Sequence, residues 1–261
     1  MAWDIESVDG VAVVTMNTNK VNVQNAAFFE DLHDAFDRLE RDHPRDGVVL
    51  TARGTTFSAG IDLKAAFPLF ATGDAHAVRE FFTRYRSTNM RLFTYPRITV
   101  AAVNGHAFAG GLITALCCDF RIAADGNARY SLNEVPIGIP MPGVYVEMIR
   151  YAIGCRHAAL ATLSGDVYTG SQAVQLGFVD DLVPEDHLPE TAIARARSIS
   201  ADAGPAYAYS KRALQAPTLA NIRALADEQD HANLPAVLVD PATLRAQDAK
   251  YRLLTGRSVS P

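Results

Sequence analysis

An apolar segment from Ile98 to Cys118 restricts the fold of this chain more than any other feature of its sequence. Its length is close to the ~20 residues that a transmembrane helix needs. However, a polar run at 104–106 and the pair Gly110-Gly111 interrupt it. We therefore interpret the segment as a buried strand, a turn and a buried helix, and we expect no membrane span. A strand and a helix this apolar must be covered by other elements.

The rest of the chain alternates between strand-like and helix-like patterns. β-Branched residues predict strands at 5–8 and 11–16 around the turn Asp9-Gly10, and apolar spacing predicts amphipathic helices from Ala26 and over 75–93. Further strands are predicted at 47–51, 98–103, 120–123 and 130–132. This alternation favours an α/β fold with covered sheets. Because the pattern becomes helical after about Pro189, we expect a core over residues 1–190 and a helical region over residues 191–261.

Composition excludes several classes of protein. The 261 residues are enough to bury a sizeable core without disulfides. A net charge of −5 gives no positive field for nucleic acid or an anionic membrane, so we expect neither partner. Three cysteines form no disulfide framework, and the acidic first residues lack the basic region of a signal peptide, which favours the cytoplasm. Metal-ligand spacings and dinucleotide fingerprints are also missing, so we expect no metal and no nucleotide cofactor.

Two segments offer free backbone N–H groups. In Phe57–Leu63, small residues and glycine precede Asp62, which suits a loop that begins a helix. In Asn104–Gly111, the chain leaves the apolar strand and begins the buried helix through small residues. Taken singly, the first is explained by an ordinary helix cap and the second by tight packing of helix on strand. Together they suggest two donors that converge on one oxygen, an oxyanion hole.

A third segment carries an acid. Glu134 lies among apolar residues in Leu132–Pro140, just after a predicted strand. Burial there would raise the pKa of its carboxyl group and make it a usable base or acid. The alternative is that Glu134 caps a turn or pairs with a cation.

These segments, in this order, resemble the crotonase superfamily of enoyl-CoA hydratases and isomerases. The loop 17–25, with Lys20-Val21-Asn22, and the stretch 168–180 are also similar to segments of that family. The resemblance implies a spiral of ββα turns with a helical C-terminal region, here 191–261, that drives trimers, often stacked as hexamers. It also implies an acyl-CoA thioester substrate, so that coenzyme A is part of the substrate and no separate cofactor is needed.

The resemblance assigns roles to individual residues. It implies that the N–H groups of Ile61 and Gly110 form the oxyanion hole and that Glu134 is the catalytic acid–base. Ile113 occupies the position where hydratases of the family carry their first glutamate. The expected substrate contacts are Lys20, Val21, Ala59, Gly60, Asp62, Leu63, Gly111 and Ile113.

A single glutamate suits the transfer of a proton from one carbon to another, which is the reaction of a Δ3-Δ2 enoyl-CoA isomerase. Three alternatives stay open: a hydratase, another crotonase reaction such as decarboxylation or thioester hydrolysis, and an acyl-CoA-binding homologue without catalysis. Glu147 and Asp166 are candidates for a second acid. Candidates for the coenzyme A phosphates are Lys20, Lys64 and Lys211. We expect the acyl pocket between residues 65–82, with the aromatic residues Phe67, Phe70, Phe81 and Phe82, and C-terminal helices of a neighbouring subunit.

Overall fold

Two sheets form the frame of the protein in a computed structural model, which describes residues 3–199, 201–225 and 233–259. The larger sheet has six strands in the order β1-β2-β3-β5-β7-β9, and the smaller has three in the order β4-β6-β8. All neighbours run parallel except the hairpin of β1 and β2. The strands are β1 (Asp4–Val8), β2 (Val11–Met16), β3 (Gly47–Ala52), β4 (Thr56–Ser58), β5 (Thr99–Val103), β6 (His106–Phe108), β7 (Phe120–Ala124), β8 (Tyr130–Ser131) and β9 (Asp181–Val183).

Helices cover both sheets and form the whole C-terminal part of the described chain. They are α1 (Ala26–Asp42), α2 (Leu63–Ala71), α3 (Ala75–Phe93), α4 (Gly110–Leu116), α5 (Gly143–Ser164), α6 (Gly170–Leu176), α7 (Leu188–Arg197), α8 (Gly204–Leu225), α9 (Leu234–Leu238) and α10 (Pro241–Thr255). Short 3₁₀ turns lie at Val135–Ile137, Glu185–His187 and Ala201–Ala203. The predicted helix at 75–93 has these bounds because the Asp74 carboxylate caps it, accepting from the N–H groups of His76 and Ala77.

The apolar segment 98–118 contains the central strand β5, which is covered on both faces of the larger sheet. All five residues of β5 are buried, and they alternate between the two faces of the larger sheet. Ala101 and Val103 join the main core, which includes residues of α1, α3, α4 and α5. Val100 and Ala102 join a second cluster against α7. A parallel sheet covered on both faces needs such a continuous apolar strand. Among the described helices, none combines the length and the hydropathy that would be required to cross a bilayer.

The smaller sheet decides where a site forms. Its strands lie in register with Thr56 beside His106 and with Ala107 beside Tyr130. Because the three strands are parallel, the chain leaves all of them at the same edge. The residues that follow are Ala59 to Ile61 after β4, Ala109 and Gly110 after β6, and Leu132 to Glu134 after β8.

The C-terminal helices lie against several earlier elements of the chain. Helix α8 packs on α5, α9 packs on α3 and α2, and α10 packs on α2 and on the 3₁₀ turn Val135–Ile137. Residue 190 lies inside α7, whose Leu188, Ala192 and Ala196 pack against the larger sheet. The division into a core and a C-terminal region at that residue stays a prediction.

Candidate active site

A cavity of about 600 Å³ opens at the edge where β4, β6 and β8 end. Its walls are mainly apolar, and α10 closes one side of it. The lining residues include Asn19, Val21, Val23, Ala59, Ile61, Asp62, Leu63, Lys64, Phe82, Tyr85, Phe108, Ala109, Gly110, Ile113, Asn133, Glu134, Ile137, Ile139, Met141, Pro142, Tyr145, Lys250 and Leu254. Both segments with predicted free N–H groups and the predicted acid therefore meet in one place.

The Ile61 N–H group faces away from its neighbouring strand segment. Ile61 forms a parallel bridge with Gln24, in which the Gln24 N–H donates to the Gly60 carbonyl at 2.8 Å and the Asp62 N–H donates to the Gln24 carbonyl at 3.1 Å. In a parallel bridge of this kind the central residue directs its own N–H to the other side. The Ile61 N–H group is thus left for another acceptor.

Gly60 brings this segment next to the second one. Its φ of 79° lies in the left-handed region, which favours glycine. A Cβ atom at Gly60 would lie 2.9 Å from the Gly110 nitrogen and 2.8 Å from the Phe108 carbonyl oxygen. Because residue 60 is glycine, the backbone segment that leads to Ile61 can contact the segment that leads to Gly110.

Gly110 is the first residue of helix α4, so its N–H group has no acceptor within that helix. Ala109 precedes it with φ 50° and ψ −127°, a conformation that non-glycine residues rarely adopt. A hydrogen bond of 2.7 Å from the Ala109 N–H to the Ser131 carbonyl holds this turn against β8. A Cβ at Gly110 would overlap the hydroxyl of Tyr85 and the side-chain oxygen of Gln24, so a larger residue would have to displace both side chains.

Glu134 is buried, with 6% of its surface exposed. Its backbone carbonyl accepts from the N–H groups of Ile137 and Ile139 at 3.1 and 3.0 Å, which fixes the turn that carries it. Its Oε2 atom has no hydrogen-bond partner among the described residues. Burial raises the pKa of this carboxyl group to about 8, and its own backbone N–H opposes that effect. The group is poised to exchange a proton near neutral pH.

A buried polar network lies behind the Gly110 segment. The Gln24 Nε2 atom donates to the Gly110 carbonyl at 3.1 Å and to the Thr114 hydroxyl at 2.8 Å. The Thr114 hydroxyl donates in turn to Asn89 Oδ1 at 3.1 Å. Next to this network, the rings of Tyr85 and Tyr145 lie with their centroids 4.9 Å apart, and neither hydroxyl has a hydrogen-bond partner in the part of the chain described.

Most of the predicted contact residues line the cavity, but three do not. Lys20 is exposed and lies outside the cavity. Gly60 lies beside Gly110 and allows the two backbone segments to come close together. Gly111 packs against β4, where a Cβ atom would overlap the Ser58 carbonyl oxygen. Tight packing of helix on strand, the alternative weighed for the glycine pair, is what requires Gly111. Asp62 lines the cavity and also caps α2, since its carboxylate accepts from the Lys64 N–H at 3.0 Å.

Two other groups of predicted residues lie elsewhere. The ammonium group of Lys211 is buried against the Asp119 carboxylate at 2.8 Å, which removes it as a candidate for a coenzyme A phosphate. Glu147 accepts from Arg150 at 2.7 Å and from Asn221 at 2.8 Å, and Asp166 is exposed; neither acid lines the cavity.

The residues expected to line the acyl pocket only partly coincide with the lining of this cavity. Of the aromatic residues at 67, 70, 81 and 82, only Phe82 lines the cavity, while Phe67 and Phe70 belong to the core. Lys250 and Leu254 of the chain's own helix α10 also line the cavity. No local pattern indicates Tyr85, Tyr145 or Gln24, because aromatic and amide residues at these spacings are ordinary in a core.

Fold and site together define a member of the crotonase superfamily. A family model described as "Enoyl-CoA hydratase/isomerase" matches residues 6–236, and the chain belongs to this family. The observed α/β architecture with its parallel sheets and helical C-terminal region agrees with the expected crotonase fold.

Two similar proteins and one solved structure illustrate the match. The chain is 34% identical over 192 residues to the mouse mitochondrial enoyl-CoA delta isomerase 1, covering 72% of this chain and 65% of the mouse protein. It is 36% identical over 207 residues to a putative enoyl-CoA hydratase of Thermus thermophilus, covering 79% and 81%. The crystal structure of human mitochondrial Δ3-Δ2-enoyl-CoA isomerase superposes with a TM-score of 0.88 at 28% identity, covering 98% of this chain and 99% of that one. The matched region thus spans less than two thirds of the mouse protein.

Proposed function

We propose that this chain is a Δ3-Δ2 enoyl-CoA isomerase that uses Glu134 alone to move the proton. The observation that carries the proposal is one buried carboxyl group in a largely apolar cavity, with an Oε2 atom that has no hydrogen-bond partner among the described residues. The two N–H groups of Ile61 and Gly110 border the same cavity. The similarity to proteins named as isomerases supports this choice within the family.

The reaction follows from these positions. The Glu134 carboxylate removes the proton from the carbon between the thioester and the double bond of a 3-enoyl-CoA. The electron pair of that C–H bond moves towards the thioester carbonyl, whose oxygen becomes an enolate and accepts from the Ile61 and Gly110 N–H groups. Protonated Glu134 then returns the proton to the γ carbon, and the double bond shifts into conjugation. Such acid–base catalysis contributes about 10²–10⁴-fold.

Hydration needs a second acid–base group to manage the protons of water, and Asp62 is the only carboxylate besides Glu134 among the described residues that line the cavity. Ile113 is apolar and buried where a hydratase of this family carries a glutamate. Asp62 is engaged as the cap of α2, and Glu147 is engaged with Arg150 and Asn221. These contacts favour isomerisation over hydration.

The acyl-CoA substrate is proposed to thread between Val21, Ala59 and Leu63 on one side and Leu254 on the other, all of which line the cavity. Lys64 and Lys250 line the same cavity and offer positive charge for phosphates. Coenzyme A is part of the substrate, and we propose no further cofactor and no metal. Assembly into a trimer or hexamer and a cytoplasmic location also stay proposals.

The test is to give the purified protein a 3-enoyl-CoA and, separately, a 2-enoyl-CoA, and to follow the ultraviolet absorption of the conjugated enoyl thioester. We expect absorption to rise with the 3-enoyl substrate and to stay constant with the 2-enoyl substrate. A fall with the 2-enoyl substrate would show hydration and overturn the single-acid scheme. No change with either, while acyl-CoA still binds, would identify a binding homologue.

A further inference from the structure

Tyr85 places an unused hydroxyl group in the wall of the cavity. The residue is 3% exposed, and its Oη atom has no hydrogen-bond partner among the described residues. A buried hydroxyl without a partner destabilises the folded protein, because its polar atoms have lost their hydrogen bonds to water and gained none in return. In a cavity built for a substrate, an unpartnered donor of this kind points to an acceptor on the substrate.

The hydroxyl lies on the catalytic side of the cavity. It occupies the space that a Cβ of Gly110 would fill, so it adjoins the residue whose N–H group we assign to the oxyanion hole. Glu134 lines the same cavity. Tyr85 Oη therefore adjoins Gly110 and shares a cavity with the acid.

The ring is held firmly in this position. It packs between Phe29, with centroids 5.6 Å apart, and Tyr145, with centroids 4.9 Å apart. The Tyr85 carbonyl accepts from Asn89 Nδ2 at 3.2 Å, which ties its turn of α3 to the network behind Gly110. A donor that is already oriented costs little to reorganise when charge develops in front of it.

The proton of this hydroxyl stays in place at working pH. Burial raises the pKa of Tyr85 well above its usual 10.0, the negative charge of Glu134 raises it further, and the Asn89 side chain opposes these effects. Tyr85 is thus a neutral donor and not a base.

On the basis of the proposed isomerisation, we propose that the Tyr85 hydroxyl is a third hydrogen-bond donor to the thioester oxygen, beside the N–H groups of Ile61 and Gly110. The phenol keeps its proton throughout, so the reaction needs no further co-reactant. Its hydrogen bond strengthens as the oxygen acquires enolate charge. Tyr85 would then contribute to the transition state more than to the binding of the substrate.

The experiment compares Tyr85→Phe with Tyr130→Phe. Tyr130 is a suitable control because its hydroxyl is also buried and unpartnered, but it does not line the cavity. Removing a donor to an oxyanion typically lowers kcat by about 10²–10³-fold when two donors are present. For a third donor we expect Tyr85→Phe to lower kcat by roughly 10–100-fold with KM within about threefold, as for an interaction made in the transition state. Tyr130→Phe should keep wild-type kcat.

A second readout does not depend on turnover. Bound 2,4-hexadienoyl-CoA absorbs further to the red when its thioester oxygen accepts stronger hydrogen bonds. We expect Tyr85→Phe to reduce that red shift and Tyr130→Phe to preserve it, with neither variant unfolding at a lower temperature than the wild type. This readout stays informative if the protein proves not to be an isomerase.

Three results would overturn the proposal. One is a Tyr85→Phe protein with the red shift and kcat of the wild type. Another is a loss of kcat while the red shift stays unchanged, since that separates Tyr85 from the thioester oxygen. The third is a lower unfolding temperature for Tyr85→Phe than for Tyr130→Phe, since that assigns the hydroxyl to a structural bond, for which Gln24 Oε1 on the same side of Gly110 is the available acceptor.

Discussion

Gln24 joins Gly110 to Ile61, although Gly110 lies 86 positions away in the sequence from Gln24. Its side-chain amide donates to the Gly110 carbonyl at 3.1 Å, and its backbone pairs with the segment that carries Ile61. One residue therefore fixes the relative position of the two N–H groups that we assign to the oxyanion hole. Small displacements of such donors are costly to catalysis because their orientation is set before the reaction.

Replacing Gln24 with methionine, which has a similar volume but no amide, should loosen this arrangement. Gly110 and Thr114 each lose a donor, so we expect the free energy of unfolding to fall by about 1–3 kcal/mol. We expect kcat for isomerisation to fall by about tenfold, as the donors lose their alignment. Chemical denaturation and the enoyl-CoA assay measure the two effects. The matched control is Gln215→Met, because Gln215 is also buried and donates to the Phe93 carbonyl at 2.7 Å, and neither residue lines the cavity. It should lose stability and keep kcat; an equal loss of kcat in both variants would contradict the role of Gln24.

Glu134→Gln should abolish proton transfer while leaving the shape of the cavity intact. We expect kcat to fall by about 10²–10⁴-fold, with acyl-CoA binding retained in calorimetry. Glu147→Gln is the control, since Glu147 is equally buried but pairs with Arg150 and Asn221 outside the cavity. That variant should lose stability and keep turnover. A Glu134→Gln protein with wild-type kcat would remove Glu134 from the mechanism.

The dependence of the rate on pH follows from the carboxyl group of Glu134, whose pKa burial raises to about 8. The reaction starts from the carboxylate, so kcat/KM should rise tenfold per pH unit below about pH 8 and level off above it. Steady-state kinetics between about pH 6 and pH 10 would measure the profile. A flat profile over this range would mean that a group of lower pKa takes the proton.

The contribution of Glu134 to the free energy of unfolding should fall as the pH rises, whereas the reaction rate should rise. The folded protein holds the Glu134 proton more tightly than the unfolded chain, where the pKa is near 4.5, so this group destabilises the fold as the pH rises from 4.5 to about 8. Glutamine is neutral throughout this range. Glu134→Gln should therefore exceed the wild type in free energy of unfolding by on the order of 3–5 kcal/mol above that range, and by almost nothing below it. Denaturant titrations of both proteins, one below this pH range and one above it, would measure the difference in free energy of unfolding. An equal difference at both pH values would refute the prediction.

The sequence by itself determined the features that depend on local patterns. The hairpin at Asp9-Gly10 follows from residues that tolerate positive φ, and these have φ of 52° and 76°. Helix α3 follows from its apolar period and its Asp74 cap, and the alternation of α and β follows from the order of such elements. The presence of Glu134 among apolar residues already indicated a carboxyl group whose pKa burial raises.

Only the tertiary structure decided which residues meet. The strands of the smaller sheet have two or three residues each, too few for a period of two to be read, and their partners lie far away in the chain. β4 and β6 were accordingly missed. Tyr85 has the same spacing as the core residues of α3, and the role we propose for it depends on Gly110, which its hydroxyl adjoins in the folded chain. Helix periodicity reports that a side chain is buried; whether it meets another apolar group, Gly110 or a cavity depends on contacts that no local pattern encodes.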